Sequence, residues 1–131
     1  MKINFYKYKI IFYLSNLCLF VIYFFPGSLA GCIFHDNCKS QPELAANLII
    51  SLNHFLVFFL LSFIGFLSFK ESSQIKKLTI YLIFLSIFIE FSHLVIQYRS
   101  FEISDIIGNL FGVLVVIFIH NLINKHDFFK K

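Results

Sequence analysis

The chain has 131 residues, 59% of them hydrophobic and 14% charged, with 20 Phe, no Trp and a mean hydropathy of +0.83. A soluble domain lies nearer ~45–50% apolar and ~25% charged, so an ordinary water-soluble fold is excluded. A net charge of +4 and a pI near 9.0 fit either nucleic-acid binding or loop charges that orient membrane helices, and only their placement separates the two.

With His counted as neutral, charge is absent from four runs, 10–35, 44–69, 78–89 and 106–124. A crossing needs ~20 apolar residues. The runs therefore predict an all-α membrane protein, a four-transmembrane-helix bundle with helices at about 10–25, 48–69, 78–97 and 103–123. Four crossings occupy most of 131 residues, which leaves no separate catalytic domain outside the bilayer.

The first helix follows Lys2, Lys7 and Lys9 and holds Cys18, read as inert packing. Beyond it the loop from Ser28 to Asn47 carries Cys32 and Cys38, with His35, Asp36 and Asn37 between them. If this loop faces an oxidising exterior, a Cys32–Cys38 disulfide is the simplest reading. A metal site from Cys32, His35 and Cys38 is weaker, because the spacing is not a usual structural zinc pattern. Leu29, Ala30, Gly31 and Cys32 also resemble a lipoprotein lipobox behind a basic start and an apolar stretch. The pair is thus left as disulfide, free or lipidated.

Lys70, Lys76 and Lys77 stand between the second and third helices, and Lys125, Lys130 and Lys131 follow the fourth. Together with the three N-terminal lysines they place nine of the eleven basic residues on one side, against Lys39 and Arg99 on the other. By the positive-inside rule both termini are cytoplasmic, and the loop 28–47 and the turn 98–102 face outward. Basicity then reports topology, and no nucleic-acid partner is expected. Connections of about eight residues between the second and third helices and about five between the third and fourth imply antiparallel neighbours.

Polar residues recur at one depth. At ~1.5 Å rise per residue, His54, Glu90 and Asn109 each lie ~9–10 Å inside the outer ends of their helices. At 100° per residue, Ser86, Glu90, His93 and Gln97 form a stripe on the third helix, Asp105, Gly108, Asn109 and Gly112 on the fourth, and Asn47, Ser51, His54 and Gly65 on the second. Polar groups in hydrocarbon must find partners, so the stripes should face one another. Gly108 and Gly112 would let helices approach closely, and Ser86, Gln97 and Asn109 read first as interhelical hydrogen-bonding residues. Glu90 reads as functional, with His93 and His54 as its expected partners. Arg99 marks either the membrane surface or an anion site, and Asp105 either a first-turn carboxylate or part of that site. His120 has no partner evident from sequence.

His54 in an apolar helix, Glu90 with a polar residue three on, Arg99, then Asp105, Asn109 and Gly112 resemble the VanZ-like family of small bacterial membrane proteins over about 54–116. The chain departs from the family pattern in having His93 where Gln is common, and Ile50 and Ser51 where an acidic residue and Lys are common. The resemblance implies a multi-pass protein of the bacterial cytoplasmic (inner) membrane, associated through the family's named member with tolerance of the glycopeptide teicoplanin. It implies no settled reaction, so whether the chain is an enzyme stays open.

The leading expectation is an outward-facing polar site that binds or acts on a lipid-linked or cell-envelope anionic molecule. Glu90, His93 and His54 would exchange protons as catalytic groups, and Arg99, Asp105 and Asn109 would bind substrate. No cofactor and no metal are expected, membrane lipid is the expected partner, and an oligomer is left open. The alternatives are a small oligomeric proton-coupled transporter using Glu90, a non-catalytic accessory or structural membrane protein, and electron transfer by a haem held between His54 and His93.

Overall fold

A computed structural model of the chain describes residues 5–41, 44 and 49–128, and within them the secondary structure is helical throughout. The helices are α1 Phe5–Phe24, α2 Leu29–His35, α3 Leu52–Ser68, α4 Ser72–Ser92 and α5 Ile103–Phe128. Two of them contain stretches long and apolar enough to cross a membrane, Lys7–Phe24 and Ile103–Lys125, and α3 is a shorter apolar helix. Lys2, Asn47, Lys130 and Lys131 lie outside the described residues.

Several boundaries differ from the sequence reading: α1 starts at Phe5, α3 at Leu52, α5 ends at Phe128, and the most informative differences are at α2 and α4. The short helix α2 interrupts the expected loop at 28–47. Its start is capped by Ser28, whose Oγ accepts from the Gly31 N–H, and its end by Asp36 in the left-handed region at φ 49°. Ser is among the favoured N-caps, and Asp tolerates the left-handed conformation better than most residues, so both ends obey local rules that the search for apolar runs ignored. Cys32 and Cys38 are disulfide-bonded, which ties α2 to the turn after it.

The helix expected at 78–97 runs instead from Ser72 to Ser92. It begins early because a charged residue ends an apolar run without ending a helix, and Lys76 and Lys77 are good helix formers. It stops because the chain folds back at 93–102: the N–H of His93 bonds the Glu90 carbonyl, Tyr98 adopts φ 58°, and the N–H of Glu102 bonds the Glu90 carboxylate. The α3–α4 link is correspondingly only residues 69–71, and the α4–α5 link is ten residues, 93–102. Gln97 is therefore exposed in a turn and does not belong to the polar stripe.

Packing is closest between α3 and α5. A Cβ added at Gly108 would stand 2.5 Å from the Ser51 carbonyl oxygen, and one at Gly112 the same distance from that of Phe55. Bare backbone at both positions is what lets the two helices touch, the packing role that small residues play between membrane helices. The apolar core lies among α1, α3, α4 and α5, around Phe12, Leu19, Phe58, Leu82, Leu85, Ile89 and Val113. Outside it, Leu60, Phe63, Ile80, Phe84, Phe88, Leu114 and Phe118 remain exposed. An apolar exterior of this extent is unsuited to water.

Candidate functional site

The site occupies the end of the bundle that carries α2 and the 93–102 turn. Helical register delivers its residues: His54 lies in the first turn of α3, Glu90 in the last turn of α4, and Asp105 and Asn109 one turn apart on α5. Because α4 runs toward this end and α3 and α5 run away from it, the three polar groups meet at one level.

His54 is fixed from both sides of its ring. Nδ1 lies 3.1 Å from Asn109 Oδ1, and Nε2 lies 3.3 Å from Asp105 Oδ2. The Asn109 amide is oriented in turn by its Nδ2, which donates to the Ser86 carbonyl at 3.0 Å. A flipped amide would set carbonyl against carbonyl, so Asn109 Oδ1 must face His54 and Nδ1 must carry the proton. Asn109 is fully buried behind His54. It positions the imidazole and does not line the adjoining cavity.

Glu90 is also fully buried. Its Oε1 accepts from the Glu102 N–H at 2.8 Å, while Oε2 lies 3.2 Å from His93 Nδ1 outside hydrogen-bonding geometry. His93 Nε2 is buried without a hydrogen-bond partner. Of the two partners expected for Glu90, His93 is thus adjacent. The carboxylate that His54 meets is instead Asp105, and one ligand-capable atom from each of His54, Glu90 and Asp105 lies within 4.8 Å of the others.

Arg99 reaches back to α1. Its Nη2 donates to the Ile22 carbonyl at 2.7 Å and its Nε to that of Phe25 at 3.5 Å, which satisfies carbonyls that the end of α1 leaves open. Burial lowers the guanidinium's pKa from its ordinary value, while Tyr23, Glu90 and Asp105 act in the opposite sense. Arg99 also lines a cavity of about 400 Å³ together with Lys39, Ser51, His54, Glu102 and Asp105. A second cavity of about 600 Å³ is walled largely by apolar side chains, among them Ile22, Leu29, Phe34, Leu56 and Val57. Gln41, Asn53, His54 and Arg99 border both.

Tyr23 was not singled out in the sequence. It is buried on α1, stacks on His93 at 5.9 Å between ring centroids, and meets His54 edge-on at 5.1 Å. In a helix that also holds four other aromatic residues between 12 and 25, nothing but its hydroxyl marked it. Its ring fills the space beside both imidazoles, which leaves no room for a porphyrin between them. His120 lies apart at the opposite end, against Asn124 and the Phe66 ring.

A family model described as VanZ/LLP1 matches residues 5–124. No curated protein matches, and no solved structure matches.

Proposed function

The chain belongs to the VanZ/LLP1 family, and on that premise we propose that it is a multi-pass protein of the bacterial cytoplasmic membrane whose polar end binds the anionic headgroup of a lipid or lipid-linked envelope molecule. The observation that carries this reading is the junction of the two cavities at Gln41, Asn53, His54 and Arg99. One cavity offers Lys39 and Arg99, cations suited to phosphate or carboxylate, and the other offers hydrocarbon. Together they match an amphiphile, with a head at Arg99 and a chain between α1 and α3.

On this reading α3 and α4 cross the membrane along with α1 and α5. The exposed Leu60, Phe63, Phe84 and Phe88 support that arrangement, because water would penalise them and lipid would not. Among the described residues, Lys7, Lys9, Lys70, Lys76, Lys77 and Lys125 lie toward the opposite end, against Lys39 and Arg99 at this one, so both termini are cytoplasmic and the site faces outward. His54 borders both cavities and could act on a bound headgroup, while Glu90 and His93 are buried and border neither; a role in glycopeptide tolerance would follow if that headgroup belongs to an envelope precursor.

A transport reading gains less support. One turn inward from His54, Ser86 and Asn109 the helices bring Phe58, Leu82 and Val113 together, all buried in the apolar core. Those side chains block a polar route through the protomer.

Lipids retained by protein purified from native membranes in mild detergent test the proposal. Wild type should be enriched in an anionic amphiphile relative to the bulk membrane, and Lys39→Gln and Arg99→Lys should each reduce that enrichment several-fold. A lipid profile equal to the bulk membrane in wild type would overturn it.

A further inference from the structure

The arrangement around His54 calls for a cation. Asn109 fixes a proton on Nδ1, and 3.3 Å from Nε2 lies a carboxylate oxygen of Asp105. These two acceptors hold a cation between them, either a proton or a metal ion. The Glu90 carboxylate lies beside them, fully buried, with Oε1 on the Glu102 N–H and Oε2 without a hydrogen bond, 3.2 Å from His93 Nδ1. Two carboxylates this close favour a cation between them; Arg99, on which both carboxylates act, directs two of its five donors to backbone carbonyls of α1.

We propose that His54 Nε2, Asp105 and Glu90 form a binding site for a first-row divalent cation. Three features support it. The three ligand atoms lie within 4.8 Å of one another, so side-chain movements on the order of 1 Å would bring all three to one ion. The 3.3 Å separation of His54 Nε2 and Asp105 Oδ2 matches the spacing of two ligands that each sit ~2.0–2.2 Å from a tetrahedral ion. Third, His54 donates its other ring N–H to a side-chain carbonyl that is itself held in place, the outer-shell arrangement that orients metal-ligating histidines.

One imidazole and two carboxylates neutralise a divalent ion and suit Zn²⁺ or Mn²⁺. Three protein ligands leave coordination positions open, as in catalytic sites. His54 and Asp105 both border the polar cavity, so an oxygen of an anionic molecule there could complete the shell. All three residues stand out in the sequence as costly polar groups in apolar helices, but they come from three helices at no metal-motif spacing, and no metal was expected of them. The cation site does not depend on what the cavity binds.

The test uses the full-length protein in detergent, stripped with EDTA and titrated with Mn²⁺ or Zn²⁺, with metal content read by mass spectrometry. Wild type should take up one ion per chain. His54→Gln, Asp105→Asn and Glu90→Gln should each weaken uptake at least 100-fold while remaining monodisperse on size exclusion. Asn109→Leu, which removes only the outer-shell acceptor, should weaken it ~10–100-fold. Pulsed electron paramagnetic resonance of the Mn²⁺ form should show one coordinated imidazole nitrogen, absent in His54→Gln. No stoichiometric uptake by wild type, uptake unchanged in the ligand variants, or a Mn²⁺ spectrum without nitrogen coupling would each overturn the site. If a variant fails to fold, the nitrogen coupling of wild type still decides. Lipid retention by the stripped protein is measured in parallel, so loss of the cation site and loss of headgroup binding are read separately.

Discussion

The two ends of the bundle are built on different principles. At the end bearing α2 and the 93–102 turn, position is set by direction: His54 is held by Asn109 and Asp105, the Glu90 carboxylate holds the Glu102 N–H, and Arg99 holds the end of α1. Toward the other end, position is set by volume, with Phe12, Phe58, Leu61, Leu78 and Leu82 filling the interior. Apolar packing tolerates conservative exchange, since neighbours can shift to fill space. A buried polar constellation does not, because each missing partner strands another polar group. The polar end should therefore respond to changes of charge that leave shape intact, and the apolar end to changes of shape.

The α3–α5 seam joins both regions, and the largest effect is expected there. Gly112→Leu would drive a side chain into the Phe55 carbonyl and the Phe59 N–H, which are backbone atoms unable to turn aside. Separating α3 from α5 would part His54 from Asn109 as well as opening the core. Membrane-inserted protein should fall at least ten-fold by immunoblot, and any remainder should aggregate on size exclusion. Normal accumulation would show that the helices are not in the close contact on which the site depends.

Next in size is a change of charge without a change of shape. Glu90→Gln keeps an oxygen that can accept the Glu102 N–H, so the turn should persist and the protein level should stay within two-fold of wild type. Lipid enrichment, or glycopeptide sensitivity of a deletion strain carrying the variant, should nonetheless change by ten-fold or more if the carboxylate's charge or proton is needed. Unchanged function at an unchanged level would reduce Glu90 to a turn anchor.

Much of the fold was legible in the sequence for the reason that separates the two ends. Charge-free runs mark helices wherever lipid is the surrounding medium, and Gly108, Asn109 and Gly112 at helical spacing mark a seam. Helix ends were less legible. Lys76 and Lys77 lie within α4, and only tertiary bonds from Glu90 and to the linker at Gly27, whose N–H meets the Gln97 carbonyl, explain why that helix stops at Ser92. Within the candidate site, His54, Glu90, His93, Arg99 and Asp105 stood out as costly residues in apolar surroundings, and the structure brings them to one end. Their pairing did not stand out. Depth can be computed from one helix at a time, whereas the choice of Asp105 over Glu90 as the carboxylate that His54 meets depends on the rotation of α3 against α5.

A smaller effect is expected at α2. The Cys32–Cys38 bond closes a short loop, and Leu29 and Phe34 of α2 wall the apolar cavity. Intact mass spectrometry of mature protein should show the full chain less two hydrogens for this bond. Loss of the first 31 residues with gain of a diacylglycerol would establish the lipobox reading instead. Cys32→Ser with Cys38→Ser should leave membrane insertion unchanged while lowering lipid enrichment a few-fold, because α2 would lose its tie to the segment behind it.

The smallest effect concerns a polar contact inside the apolar region. Asn16 on α1 donates from Nδ2 to the Tyr81 hydroxyl on α4 at 2.6 Å, while its Oδ1 is buried without a hydrogen-bond partner. Interhelical hydrogen bonds in membranes average ~0.6 kcal/mol by double-mutant cycles, far below the cost of an unpaired polar group in hydrocarbon, because the separated helices also find partners. Tyr81→Phe should therefore cost more than the bond itself is worth, since it strands the amide donor beside the stranded Oδ1. Asn16→Leu should cost about as little as the bond or even stabilise, since it removes the unsatisfied Oδ1, adds hydrocarbon and leaves only the half-buried Tyr81 hydroxyl without this partner. A double-mutant cycle followed by thermal aggregation in detergent would give a coupling of ~0.6–1.7 kcal/mol, with site function unaffected in every variant. A coupling near zero would mean that α1 is held to α4 by packing alone. A coupling of several kcal/mol would mean that directional bonding governs this end as well, and the contrast between the two ends would fail.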